Sequence, residues 1–379
     1  MTATPSPAIT EAARRAAGAR AFEHFLDAGA TRIEPPILQP ASAFLDMSGE
    51  EIRGRLYLTS GASGEELCLR PDYTIPVCLA HLTGSAPAAP AQYAYFGPVF
   101  RSRPGQRGEM IQTGLESYGR EDIEAADAEI FALALEAAAR AGCGPLKVKI
   151  GDVRVFDAAI DALGLSVAWR RRVRRGLAQG KPLSVVLNGG GHGASAQSGV
   201  LAALERTDHK GAKALVEDLL AIAGIAAIGG RDVSEIADRF LEQASQRAET
   251  GVSEEQRAIL RRFLSVSGDP DAASRALREL ARDARLDMAA QLDSFDERTG
   301  FLAARGLNVE EFRYDAAFVR DLDYYTGFVF EAVDARELSS RPALVGGRYD
   351  GLARRMGAAF DAPAVGAAIW IDRLPLAEG

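Results

Sequence analysis

The chain has 379 residues, of which 47% are hydrophobic and 25% charged, the profile of a soluble globular protein with room for a large core. A net charge of −8 and a pI of about 5.3 argue against nucleic-acid binding driven by overall charge. Three cysteines (Cys68, Cys78, Cys143) with no CxxC pair argue against a disulfide framework or a zinc ribbon. His24, His81, His192 and His209 are scattered and make a poor metal site, so no metal and no cofactor are expected. No signal peptide and no membrane-spanning run is read, and a cytoplasmic location is expected.

In chain order, residues 9–28 read as a helix with an apolar stripe of Ala21, Phe22, Phe25 and Leu26, closed by Gly29. Arg32–Leu38 is a short apolar run with a proline pair, hence an edge or interface strand. Leu56–Thr59 and Glu66–Arg70 form a hairpin around a Ser-Gly turn, and Thr74–Leu82 is helical. Tyr95–Arg101 and Gln112–Gly119 read as two strands joined by a polar loop. Asp122–Ala141 is an Ala-rich helix with Gly142 beyond its end, and Leu146–Ile150 is a strand. Helical periodicity then prevails over 166–306, with helices near 166–178, 195–205, 211–223, 234–248, 253–266, 271–283 and 286–305. Strands resume at Phe312–Val319, Phe328–Val333 and Ala364–Ile371. The expected fold is α+β: one antiparallel sheet flanked by helices, built from 1–165 and 307–379, with a mostly helical insertion over 166–306.

Gln112, Gly114 and Glu116 stand at period-two spacing and share a face, close to Arg101 at the end of the preceding strand. A guanidinium, an amide and a carboxylate in one place suit a small zwitterion, while an ordinary hairpin with a solvated polar face fits equally. Arg320-Asp321-Leu322-Asp323-Tyr324-Tyr325-Thr326-Gly327 sets charges and tyrosines between apolar strands, where hydroxyls can bond a buried ligand ring. Leu344–Leu352 contains Gly346-Gly347-Arg348-Tyr349, in which glycines permit close backbone approach and Tyr349 can cap a pocket. Either segment can also be a structural turn. Leu187–Gly193 is glycine-rich but lacks a phosphate-loop pattern and reads as a turn. The arginines from Arg170 to Arg175 read as a solvated helix face, with RNA or a protein partner as the alternative.

Together these segments resemble the catalytic core of class II aminoacyl-tRNA synthetases, specifically histidyl-tRNA synthetase. Arg32–Leu38 is similar to the first, dimer-forming motif, Phe96–Arg101 with Gln112–Gly119 to the second, and Ala364–Leu374 to the third. Arg320–Gly327 and Val345–Leu352 are similar to the two histidine-recognition signatures. The resemblance implies that Asp72, Thr74 and Gln112 hold an amino-acid ammonium. It places Glu116 and Tyr325 at the imidazole with Tyr324 beside them, Tyr349 closing the pocket, and Arg101 and Arg320 near the carboxylate.

Departures from that pattern redirect the expectation. The chain stops soon after the third motif, where an anticodon-binding domain is expected in a synthetase. Arg103 stands where the second motif reads ATP with an acidic residue, and Trp370 replaces a glycine of the third, filling space expected for the nucleotide. This combination resembles the regulatory subunit family of ATP phosphoribosyltransferase. It implies a non-catalytic homodimer that assembles with a short-form catalytic subunit, which condenses ATP with phosphoribosyl pyrophosphate in the first step of histidine biosynthesis. L-Histidine is the implied feedback ligand, and tRNA is not an expected partner. The alternative is a truncated synthetase-like ligase that activates histidine with ATP.

Overall fold

The computed structural model describes residues 10–48, 53–105, 107–188, 252–319, 324–335 and 341–374. The expected helices near 195–205, 211–223 and 234–248 lie outside these, as does most of Leu187–Gly193. Two compact units are present, one from Met1–Ala159 with Phe263–Gly379 and the other Ile160–Arg262.

Helix α1 (Glu11–Asp27) begins where the Thr10 hydroxyl accepts from Ala13 N and ends before Gly29, whose φ of 93° suits glycine. The Arg32–Leu38 run forms no continuous strand. It splits into β1 (Thr31–Arg32) and β2 (Leu38–Pro40), which belong to different sheets. Pro35 and Pro36 offer no N–H to a ladder, so the chain crosses between sheets there. Next come α2 (Ala41–Ser48), the antiparallel pair β3 (Leu58–Ser60) and β4 (Glu66–Leu69), and α3 (Thr74–Leu82). Strands β5 (Ala91–Phe100) and β6 (Glu109–Tyr118) make the long hairpin, followed by α4 (Ile123–Arg140), β7 (Leu146–Asp152) and α5 (Val153–Ala162).

In the second unit, α6 (Val167–Ala178) is capped by Ser166 and packs on α7 (Leu183–Asn188). Arg172 stacks 4.7 Å from the Trp169 ring and donates to Val186 O at 3.0 Å, and Arg170 pairs with Asp161. The arginine run is therefore partly engaged within its own unit instead of forming one solvated stripe. Helix α8 (Glu254–Leu264) follows, then β8 (Ser267–Gly268), α9 (Pro270–Ala284) and α10 (Ala289–Ala304). Helical periodicity assigns α9 and α10 to the insertion, yet they fall in the first unit. Their buried faces explain this: Phe295 of α10 meets Tyr314 at 5.1 Å, and α10 lies along α4. The chain ends with β9 (Arg313–Asp315), β10 (Phe328–Asp334), β11 (Leu344–Arg348), α11 (Leu352–Arg355) and β12 (Ala364–Trp370). The strand expected over Phe312–Val319 shortens to β9, because Asp315 Oδ1 accepts from Ala317 N and turns the chain.

The large sheet runs β1-β5-β6-β12-β11-β10-β7-β9-β8. Its middle is antiparallel, as expected, whereas β1–β5 and β7–β9 pair in parallel, making the sheet mixed. Helices α1, α4 and α10 cover one face. There Phe131 of α4 meets Phe328 and Phe330 at 5.7 and 4.7 Å, and Phe22 of α1 stacks on Phe96. The same layer holds a buried ionic cluster. Arg348 donates to Asp127 at 2.7 Å and to Asp350 at 2.7 Å, while Arg298 pairs with both Asp127 and Asp152. Side chains alternate along a strand, so Gln112, Gly114 and Glu116 of β6 point to the opposite face, with Trp370, Ala368 and Gly366 of β12 as their register partners.

Candidate functional site

A cavity of about 240 Å³ opens on that second face. Of the nine residues expected at the site, Asp72, Thr74, Arg101, Gln112, Tyr324, Tyr325 and Tyr349 line it. Glu116 lies beneath, joined by hydrogen bonds to two of the seven, and Arg320 lies outside the described residues.

Glu116 is 1% exposed. Its Oε1 accepts from Thr74 Oγ1 at 2.8 Å and from Tyr95 OH at 3.5 Å, and its Oε2 accepts from Tyr349 OH. Gly366 makes this possible, since a Cβ there would fall on Glu116 Oε2. Burial pushes the Glu116 carboxyl up to about 8 despite these donors, so near neutral pH it is mostly protonated. Burial and the Glu116 charge hold the Tyr349 phenol well above its ordinary range, which keeps its proton available to donate.

Asp72 sits just before α3. Burial raises its carboxyl, opposed by Arg101 at 3.4 Å and by the backbone N–H groups of Ile75 and Thr74. Asp72 Oδ1 and Gln112 Oε1 are buried with no hydrogen-bond partner among the described residues. Two orphaned acceptors in one wall call for a donor, and a ligand ammonium provides three N–H groups.

Tyrosine packing fixes the geometry. Tyr73 and Tyr95 stack at 4.2 Å with planes 9° apart, and Arg70 lies 4.1 Å over Tyr73. Arg70 also donates to Pro35 O at 2.6 Å and Pro98 O at 2.9 Å, tying the proline crossing to β5. Tyr324 and Tyr325 lie 4.8 Å apart, and Tyr324 meets the Tyr349 ring edge-on at 5.8 Å. Trp370 is buried in the cavity wall, with the guanidiniums of Arg101 and Arg373 at 4.6 and 4.2 Å from its ring. Arg103 lines the same cavity.

Several residues here are not singled out by the sequence. Tyr95 shares the period-two face of its strand with Tyr93 and Gly97, and that spacing could have placed it. Arg55 and Arg341 also line the cavity, from segments with no local signal. Chemically, the arrangement offers buried acceptors and tyrosine hydroxyls for a cationic or ring N–H group, and guanidiniums for an anion.

A family described as Histidyl-tRNA synthetase matches residues 7–228 and 209–374. The ATP phosphoribosyltransferase regulatory subunit of Mesorhizobium japonicum is 40% identical over 352 residues, covering 90% of this chain and 92% of the relative. That of Brucella canis is 38% identical over 351 residues, covering 92% of this chain and 93% of the relative. Among solved structures, an ATP phosphoribosyltransferase regulatory subunit/histidyl-tRNA synthetase from Bacillus halodurans matches with a TM-score of 0.66 at 23% identity, covering 98% of this chain and 82% of the other. Histidyl-tRNA synthetase from Nostoc sp. matches with a TM-score of 0.64 at 19% identity, covering 98% and 74%. These two likenesses establish the class II synthetase-like fold. By its sequence relatives and by its fold, the chain belongs to the ATP phosphoribosyltransferase regulatory subunit family, on a histidyl-tRNA synthetase-like core.

Proposed function

We propose that this chain is the non-catalytic regulatory subunit of an ATP phosphoribosyltransferase, required with a short-form catalytic subunit for the first step of histidine biosynthesis and for feedback inhibition by histidine. The observation that carries the ligand is the pair of orphaned acceptors, Asp72 Oδ1 and Gln112 Oε1, in a cavity that also presents Glu116, Tyr325, Tyr349 and Arg101. In this reading Asp72, Thr74 and Gln112 take the ammonium of histidine. Glu116 takes a ring N–H, with Tyr324, Tyr325 and Tyr349 around the ring, and Arg101 with Arg320 takes the carboxylate. Trp370 in the cavity wall supports loss of the nucleotide chemistry of a synthetase.

The chain acts as a homodimer in this proposal. Ile37, Leu38, Tyr57 and Leu58, on or beside β2 and β3, are exposed apolar side chains and supply apolar surface for it on both sides of the small sheet. A cytoplasmic location belongs to the same proposal. Among the described residues no helix is long and apolar enough to cross a membrane.

The deciding experiment is co-purification with a short-form catalytic subunit, then assay of the phosphoribosyl transfer with and without histidine. Transfer activity should require this chain and fall with histidine. Feedback needs histidine to favour one state of the complex by differential affinity, typically about 1–3 kcal/mol. A catalytic subunit equally active without this chain sinks the proposal. Histidine-dependent ATP–pyrophosphate exchange by the chain alone would replace it with the ligase reading.

A further inference from the structure

The Tyr349 hydroxyl meets Glu116 only if the main chain of Tyr349 is held in place, and the next residue does much of that holding. Asp350 stands between β11 and α11 and does not itself line the cavity. Its Oδ1 accepts from Arg348 Nη1 at 2.7 Å and from the backbone N–H of Ala364 at 2.9 Å. Its Oδ2 accepts from Arg154 Nη2 of α5 at 2.9 Å. Its own N–H donates to Thr326 Oγ1 at 3.0 Å, and Thr326 N donates back to Arg348 O at 2.8 Å. One aspartate thus joins the strand that ends in Tyr349, the Tyr324–Thr326 segment, the first residue of β12 and the first turn of α5. Three of these four carry parts of the site: Tyr349, the pair Tyr324 and Tyr325, and Gly366, whose missing side chain admits Glu116. The fourth is the anchor. Asp152 Oδ1 caps α5 by accepting from Arg154 N at 2.8 Å and Val155 N at 3.2 Å, so Arg154 leaves from a fixed helix start. The task suits a carboxylate, because two oxygens must serve two guanidiniums and an amide at once. An asparagine would turn an NH2 group toward one of its partners.

We propose that Asp350 is a positioning residue for the ligand ring: without touching the ligand, its carboxylate sets the Tyr349 hydroxyl on Glu116 and the Tyr324–Tyr325 pair beside it. That the ring belongs to histidine rests on the function proposed above, whereas the placement of Tyr349 on Glu116 does not.

The test uses the full chain as wild type, Asp350→Asn, Tyr349→Phe, the double variant and Arg154→Gln. Histidine affinity is measured by calorimetry, and the titration of Glu116 by NMR of carboxyl-labelled glutamate with no ligand present. Asp350→Asn and Tyr349→Phe should each weaken histidine binding by about five- to tenfold, the scale of one hydrogen bond. The double variant should lose no more than the weaker-binding single variant, since both act through the same hydroxyl. Without ligand, Asp350→Asn should raise the Glu116 titration, as Tyr349→Phe should, because the Tyr349 hydroxyl lowers that carboxyl. Loss of the Asp350 charge alone would lower it, so a rise reports the hydroxyl. Thr74, Tyr95 and Asp72 also act on Glu116 and are unchanged in every variant. Arg154→Gln cuts only the half-buried outer arm and should fold even where the Asp350 variant does not. It should shift both readouts in the same directions, with partial recovery in Arg154→Lys. Multiplying losses in the double variant, or an unmoved Glu116 titration, overturns the proposal. A wild-type chain that binds no histidine removes the histidine reading and leaves the Glu116 titration to decide the role of Asp350.

Discussion

Glu116 concentrates the chemistry of the site in one carboxyl. Its folded value of about 8 lies above the ordinary 4.5, with burial as the main cause. Between those two pH values the folded chain holds a proton that the unfolded chain has lost. The stabilisation is therefore full below about 4.5 and fades as pH rises to about 8. Glu116→Gln keeps an acceptor for Tyr349 and cannot ionise. Its stability relative to wild type should improve between pH 5 and pH 8, by on the order of 1 kcal/mol for each pH unit crossed. Denaturant unfolding at both pH values measures the gap, and a constant gap would refute the raised carboxyl. Glu116→Ala should weaken histidine binding by roughly 0.5–1.5 kcal/mol near neutral pH, as the hydrogen bond of an uncharged carboxyl is lost. Unchanged affinity by calorimetry would remove Glu116 from the pocket. This residue was legible in the sequence because Gln112 and Glu116 sit two strand steps apart. The need for Gly366 was not, since it follows from a register with β12 set about 250 residues downstream.

At the scale of elements, α4, α10, β7 and β11 are joined by ions instead of by apolar contact alone. Asp127 is fully buried and accepts from Arg348 at 2.7 Å and from Arg298 at 3.4 Å. Asp127→Ala would leave two buried guanidiniums short of a partner, which typically costs about 3–5 kcal/mol. Chemical denaturation should show that loss, and a loss under 1 kcal/mol would mean the cluster relaxes into solvent. Arg348 adjoins Tyr349, so the same cluster holds the segment that caps the cavity. Helices were the most readable elements: Thr74–Leu82 forms over the predicted residues, and the helix predicted over Asp122–Ala141 forms over Ile123–Arg140. Strand β11 was harder. Its Gly346-Gly347 pair lowers local strand preference and reads as a turn, yet between β10 and β12 the missing side chains make room for the Phe330 ring and for Tyr325.

At the scale of the whole molecule, the apolar group of Ile37, Leu38, Tyr57 and Leu58 is 39–49% exposed and sits on the small three-stranded sheet. Leu38 shares one side of that sheet with Leu69, and Leu58 lies on the other side with Cys68. If the sheet lies at the junction of two copies, the double variant Leu38→Glu, Leu58→Glu, which charges both sides, should convert a dimer to a monomer in light scattering while its circular dichroism stays unchanged. A dimer that persists would place the interface elsewhere. The sequence carried the overall fold through its motifs, because each motif is a local run with its own spacing. It did not carry the arginines of the cavity. Arg55, Arg103, Arg341 and Arg373 come from separate segments and meet only when β12 lies beside β6 and the β5–β6 loop turns over the cavity.

Trp370 has an optical consequence. The chain contains two tryptophans, and the other, Trp169, belongs to the Ile160–Arg262 unit. Trp169→Phe therefore leaves one indole fluorophore, set in the cavity wall between charged neighbours whose positions a bound anion would shift. Emission from that single-tryptophan chain should change in intensity on ligand addition and saturate with the calorimetric affinity. Occupancy of the cavity could then be followed without a label, in the free chain and in a complex whose other subunits do not obscure the signal.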